Sequence, residues 1–169
     1  MRNLVIGDLH FGIKTNSISW MESQIKFIKD QIIPTAIDNN VDNVVFLGDL
    51  FDIRYSVNQV IGISVKNVIR ELAEKLYNKK IIFIAGNHDY YSPLEDSKEY
   101  NIYELIFGKE FIDKYTNIVV VNDEPYSTAN DLYLPWYYTE DYSKLIETYN
   151  KYDNINTIYC HSDLSMWSD

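Results

Sequence analysis

Four apolar runs in this chain end in the same kinds of polar residue. Leu4-Val5-Ile6 stops at Gly7-Asp8-Leu9-His10, and Val44-Val45-Phe46-Leu47 stops at Gly48-Asp49-Leu50-Phe51-Asp52. Ile81-Ile82-Phe83-Ile84-Ala85 stops at Gly86-Asn87-His88-Asp89, and the run 155–160 stops at His161. Short continuous apolar runs bounded by turn residues read as buried strands. Strands are therefore expected over 3–7, 43–47, 80–84 and 155–160, the first buried on both faces. A helix over about 19–39 would place Ile25, Ile28, Ile32, Ile33 and Ala36 on one side. Ser17 or Ser19 would cap it, Pro34 would kink it or start a new turn, and Asn39-Asn40 would stop it. A second helix, about 58–78, carries Val60, Ile61, Val65, Val68, Ile69, Leu72 and Leu76 at helical spacing. A short helix around 100–107 follows. From Asn117 the pattern changes: 118–121 and 131–134 read as short strands joined by a turn at Pro125, and a helix about 140–152 precedes the last strand. Alternating strands and helices followed by a hairpin-like section predict an α/β layered domain with two packed sheets.

Composition narrows the class. A chain of 169 residues, 46% of them hydrophobic, fits one globular domain. The net charge of -10 and pI near 4.7 argue against a simple electrostatic clamp on nucleic acid, which uses a basic face. They leave a nuclease open, because metal ions neutralise a scissile phosphate and some of the acids would be ligands. Cys160 is the one cysteine, so no intrachain disulfide forms, and a reducing cytoplasm is the simple reading. The N-terminus shows no signal-peptide pattern, and no apolar run approaches the ~20 residues that span a bilayer.

The strand ends carry the chemistry. Asp8 and His10, two apart in extended chain, point to one face and can share an ion. Asp49 follows a glycine that permits a sharp turn, and its two oxygens can bridge two cations. Asp52 reads as a ligand, a loop acid or an acceptor that orients a histidine. Asn87 offers a neutral oxygen, and His88 can donate a proton or steady a developing negative charge. Each residue also has a bland reading: a solvated loop, a turn aspartate, a polar turn. For His161 alone, a satisfied buried histidine outweighs a ligand by roughly two to one. The joint pattern reverses this, since each of the three histidines lies at a predicted strand end beside another candidate ligand. Carboxyl ends of strands are where α/β sheets bind ligands. Mixed Asp, His and Asn donors suit Mn²⁺, Fe²⁺ or Zn²⁺.

In this order, Asp8-Leu9-His10, Gly48-Asp49-Leu50-Phe51-Asp52, Gly86-Asn87-His88-Asp89 and His161 resemble the signature of calcineurin-like metallophosphoesterases. Gly7-Asp8-Leu9-His10-Phe11-Gly12 and the segment 48–54, ending in Ile53-Arg54, are similar to SbcD-type DNA-repair nucleases. Leu134-Pro135-Trp136 and its spacing to His161 look like the nuclease subunit of phage recombination endonucleases. The resemblance implies a two-sheet sandwich flanked by helices over 1–169. It implies two divalent ions, Mn²⁺ by preference: Asp8 and His10 on the first, Asp49 bridging, Asn87 and His161 on the second. His88 would assist the leaving group or contact the scissile phosphate, oriented by Asp52. The implied activity is cleavage of DNA phosphodiesters in recombination and repair, with an SMC-like ATPase of the SbcC type as partner. The setting would be the cytoplasm, that of a host if the chain is phage-encoded.

The family's last Gly-His-x-His motif has no match, so each metal would lack one ligand. The domain is expected to lack its final strands and cap: a fragment, a shortened chain, or one completed by a partner. An open sheet edge would invite pairing with another chain, a homodimer included. Two further readings stand beside the nuclease: a non-catalytic or assembly subunit, and a general phosphoesterase for proteins or small molecules.

Overall fold

The computed structural model describes residues 1–92, 100–136 and 142–162, without the side chain of Tyr142. Four parallel strands, β1 (Asn3–Ile6), β2 (Asn43–Phe46), β3 (Lys80–Ile84) and β4 (Ile118–Val121), form the first sheet in that order. β5 (Tyr126–Ser127), β6 (Asp131–Leu134) and β7 (Thr157–Cys160) form the second, β5 antiparallel and β7 parallel to β6.

Period-two alternation sorts the core into layers. Val44, Phe46, Ile81 and Phe83 face the helices, with Phe46 and Phe83 stacked 4.6 Å apart. Val45, Ile82 and Ile84 face the other way, onto Tyr133 of β6 and Tyr159 of β7. On the far side of the second sheet, Leu132 and Leu134 pack on Leu145 of a C-terminal helix, Tyr142–Tyr149. The result is a two-sheet sandwich with helices outside both sheets. Each fully buried Val, Ile or Phe at these seams contributes about 1.5–3 kcal/mol.

The first helical stretch begins at α1 (Ile18–Phe27), where the Ser17 hydroxyl accepts from the Trp20 N–H. It continues through a wider π turn, Ile28–Ile32, into α2 (Ile33–Asp38). Pro34 lies in the first turn of α2 and has no N–H to give back to the preceding turn, which accounts for the break in register there. α3 (Gln59–Lys75) is capped by Asn58 and buries Ile61, Val65, Val68, Ile69 and Leu72.

Four expectations need correction. Among the described residues β1 is an edge strand, and Val5 on it is 43% exposed where burial on both faces was expected. Val60 is 55% exposed: the first turn of α3 turns it outward while Ile61 faces the core. Strands 118–121 and 131–134 do not pair. β4 joins β3 in the first sheet, and the hairpin partner of β6 is the two-residue β5. Finally, the single short helix around 100–107 is two, α4 (Ile102–Ile106) and α5 (Gly108–Lys114), divided at Phe107-Gly108. The C-terminal helix is α6; its first residues as expected, and the tail beyond Ser162, lie outside the described residues.

Candidate metal centre

The loops after β1, β2 and β3 and the end of β7 meet at one point, at the carboxyl edges of both sheets. Parallel pairing brings this about: Ile6 lies beside Phe46, Phe46 beside Phe83, and β7 runs parallel to β6 on the neighbouring sheet. The β1 and β2 loops stay paired beyond their strands. His10 N–H donates to the Asp49 carbonyl and Phe11 N–H to the Leu50 carbonyl, both at 2.9 Å. Asp52 N–H returns to the Phe11 carbonyl at 3.0 Å.

Two glycines allow the close approach. Gly48 has φ 110°, and a methyl on it would stand 2.7 Å from His161 Nδ1. A methyl on Gly86 would collide with the Asp49 carboxylate and backbone. His10 and Asp49 themselves take left-handed φ of 49° and 48°, conformations uncommon away from glycine.

Asp49 is at the centre. Its Oδ1 accepts the His88 backbone N–H at 2.8 Å. Its Oδ2 lies 3.6 Å from His10 Nε2 and 3.6 Å from His161 Nε2. One carboxylate oxygen is thus flanked by imidazoles from chain positions far apart. The His161 tautomer follows from its other nitrogen: Nδ1 is 2.9 Å from the Leu47 carbonyl, which only accepts, so Nδ1 carries the proton. Nε2 then presents a lone pair, and Asn87 Oδ1 stands 2.9 Å from it. Two lone-pair atoms and a carboxylate oxygen therefore converge with no proton among them. Without a cation the Asn87 amide is better reversed, its NH₂ donating to His161 Nε2 and Asp49 Oδ2 and its oxygen accepting from Arg54 at 2.9 Å. With a cation, the oxygen-inward orientation becomes the favourable one.

Asp8 Oδ1 lies 3.6 Å from His161 Nδ1, and ligand atoms of Asp8, His10 and Asp49 all fall within 4.8 Å of one another. His10, Asp52 and His88 form a second such group. His10 Nδ1 is buried with no hydrogen-bond partner and lies 3.5 Å from Asp52 Oδ1. Donors bound at about 2.0–2.2 Å to one ion stand roughly 3.0–3.6 Å apart, the separation seen at Asp49 and His10. The donor set fits divalent metal at His10 Nε2 and Asp49, an arrangement that leaves the proton on His10 Nδ1, toward Asp52.

All seven residues singled out in the sequence, Asp8, His10, Asp49, Asp52, Asn87, His88 and His161, lie at this centre. Asp52 meets His88 differently from the expectation. The His88 Nδ1–H donates to the Asp52 main-chain carbonyl at 2.6 Å, while the Asp52 carboxylate faces His10. The sequence reading assigned nothing to Asp89, which is 1% exposed and ties the loops together. Its Oδ1 accepts from Leu50 N–H at 2.9 Å, and its Oδ2 from Gly86 N–H at 2.9 Å and the Tyr103 hydroxyl at 3.1 Å. Burial pushes its pKa up to about 7; the Asp49 charge adds to this, against the lowering effect of those three donors. In the sequence Arg54 stands out only as the last residue of the motif 48–54. An acid two residues after a histidine-flanked Asn was the available signal for Asp89.

Fold and donor set together define a metal-dependent hydrolase of the phosphoesterase type. The chain belongs to the calcineurin-like phosphoesterase family, whose model matches residues 1–169. It is 31% identical over 86 residues to the DNA double-strand break repair protein Mre11 of Sulfurisphaera tokodaii. It is 33% identical over 90 residues to Mre11 of Sulfolobus acidocaldarius. These matches cover 51% and 53% of this chain but 21% and 22% of those proteins. Among solved structures, a Pseudomonas putida nuclease, MPE, aligns with 79% of this chain and 53% of its own at 20% identity and a TM-score of 0.46. No helix among the described residues is long and apolar enough to cross a membrane.

Proposed function

We propose that this chain is the catalytic part of a metal-dependent DNA phosphodiesterase, an exo- or endonuclease of recombination or repair. The observation that carries the reading is the single Asp49 oxygen 3.6 Å from both His10 Nε2 and His161 Nε2, the placement a bridging ligand needs. Asp8 and His10 would hold one ion, Asn87 and His161 the other, and Asp49 both. Two divalent ions, Mn²⁺ by preference for this oxygen and imidazole set, would when bound activate a water and neutralise charge at the phosphoryl oxygens.

The protein's own residues do the rest. His161 is held in the Nδ1–H tautomer by the Leu47 carbonyl, so that Nε2 faces inward. His88 is fixed the same way by the Asp52 carbonyl, which leaves its Nε2 to hold or pass a proton at the leaving oxygen. DNA as substrate is supported by the Mre11 relatives, which are named for double-strand break repair. The SbcD-type motif resemblance implies an SMC-like ATPase of the SbcC type as partner and a cytoplasmic setting.

Cleavage of linear DNA in Mn²⁺ is the test. Asp49→Ala should lower the rate by about 10³-fold or more, since it removes the ligand common to both ions. His88→Ala should cost about 10²- to 10⁴-fold with metal binding retained. Unchanged activity in both variants would defeat the proposal. A second reading, an assembly subunit whose site another chain completes, draws on β7, an edge strand among the described residues, with Ile158 36% exposed. Failure to bind Mn²⁺ would favour it.

A further inference from the structure

Beside the metal centre, the loops after β2 and β3 and helix α4 line an aromatic cleft of about 440 Å³. Arg54 and Tyr55 follow Asp52 in the β2 loop. Tyr91 follows His88 in the β3 loop, where its N–H donates to the Tyr100 carbonyl at 2.8 Å and sets Tyr91 and Tyr100 side by side. Tyr55 and Tyr91 meet edge to face, ring centres 5.6 Å apart at 83°. Tyr55 is 71% exposed, Tyr91 57% and Tyr100 60%, and Glu104 and Leu105 of α4 also line the cleft. Arg54 lines the cleft and also reaches the metal centre: it donates to the Asn87 oxygen in the metal-free orientation of that amide, and is released from it when the oxygen turns inward to a cation.

The geometry points to a stacking subsite: a nucleobase of single-stranded DNA next to the scissile phosphate lies on the face of one of the two perpendicular rings, Tyr55 or Tyr91, with the other against its edge, and Arg54 holds the intervening phosphate. This rests on the nuclease reading and names how that site grips its substrate. Several features favour a base over an apolar peptide. The cleft is continuous with the site through Arg54, which supplies charge complementary to a phosphate. Its open faces are aromatic rings with polar rims, which suit flat π systems. A chain with net charge -10 also cannot rely on a broad basic face, so stacking is the available source of grip. The volume falls in the range of clefts that take one small organic group, roughly 300–1,000 Å³.

The test compares Mn²⁺-dependent cleavage by the intact chain of two single-stranded oligonucleotides, one fully base-bearing and one abasic at the positions flanking the cut. The wild type should favour the base-bearing strand by roughly tenfold in KM. Tyr55→Ala and Tyr91→Ala should abolish that preference by raising KM for the base-bearing strand alone. Tyr55→Phe and Tyr91→Phe should keep it, because the ring and not the hydroxyl stacks. A 2-aminopurine at the flanking position should be quenched on binding by the wild type and the Phe variants and not by the Ala variants. Equal KM for both strands in the wild type, or Ala variants that retain the preference, would overturn the inference while leaving the nuclease intact; an apolar peptide site gives that result. Absence of any DNA cleavage by the wild type would instead overturn the functional reading and this inference with it.

Discussion

The acids that lead the loops after β1 and β2 are alike in sequence and unlike in the structure. Asp49 has a side chain 5% exposed and accepts a backbone N–H from the next loop. Asp8 has a side chain 45% exposed, at the end of an edge strand. Beyond His10 the β1 loop passes through a single left-handed turn, with Lys14, Thr15 and Asn16 at φ of 55°, 58° and 60°. The β2 loop is pinned instead by Asp89, which receives Leu50 N–H and joins it to Gly86 and Tyr103. The middle of the site is thus part of the folded core, and its rim is held by fewer contacts. Metal should order the rim and find the middle already in place.

The largest effect expected from this contrast is on stability, at a residue that touches no substrate. Asp89→Ala leaves the buried Leu50 and Gly86 N–H groups without their acceptor and the Tyr103 hydroxyl with only the Ile84 carbonyl at 3.3 Å, and should cost about 3–5 kcal/mol in denaturant unfolding. A loss under about 1 kcal/mol would mean that the β2 and β3 loops do not depend on it. The same carboxyl gives a pH signature. Folded, it keeps its proton to about pH 7; unfolded, it loses it near the model-peptide value of 3.8. The folded state therefore binds more protons across that window, and Asp89's contribution to stability falls as pH rises from about 4 to 7, then levels off. Asp89→Asn should flatten that part of the stability profile.

A smaller effect is expected from closing the gap between loops. Gly86→Ala puts a methyl into the Asp49 carboxylate and should cost about 1–3 kcal/mol, with metal affinity falling as Asp49 is displaced. Thermal melts with and without Mn²⁺ measure both. Smallest in stability is Asp8→Asn at the exposed rim. It should leave the apo protein's melting temperature within about 2 °C, as for other exposed sites, and weaken Mn²⁺ binding by about 10- to 100-fold. Equal stability losses for Asp8→Asn and Asp89→Ala would erase the distinction between rim and middle.

Much of this was legible in the chain. Strand ends announced themselves because a buried parallel strand must be apolar throughout and must stop at a polar turn, and all seven candidate residues sat at such stops. The edge position of β1 was not legible, since Leu4-Val5-Ile6 reads as apolar as the interior Val44-Val45-Phe46. Which strands pair depends on contacts far apart in sequence, so β4 and β6 looked like a hairpin. Asp89 was visible only as the last letter of a polar tetrapeptide; its role comes from donors on three separate segments. Asp52 was read through its carboxylate, but its carbonyl orients His88, and no side-chain pattern encodes that.

Calorimetric titration of the intact chain with Mn²⁺ tests the shared site most directly. Two ions should bind, and Asp49→Ala should weaken both, because that carboxylate faces the imidazoles of His10 and His161 alike. Binding of no ion, or of ions indifferent to Asp49→Ala, would contradict the account.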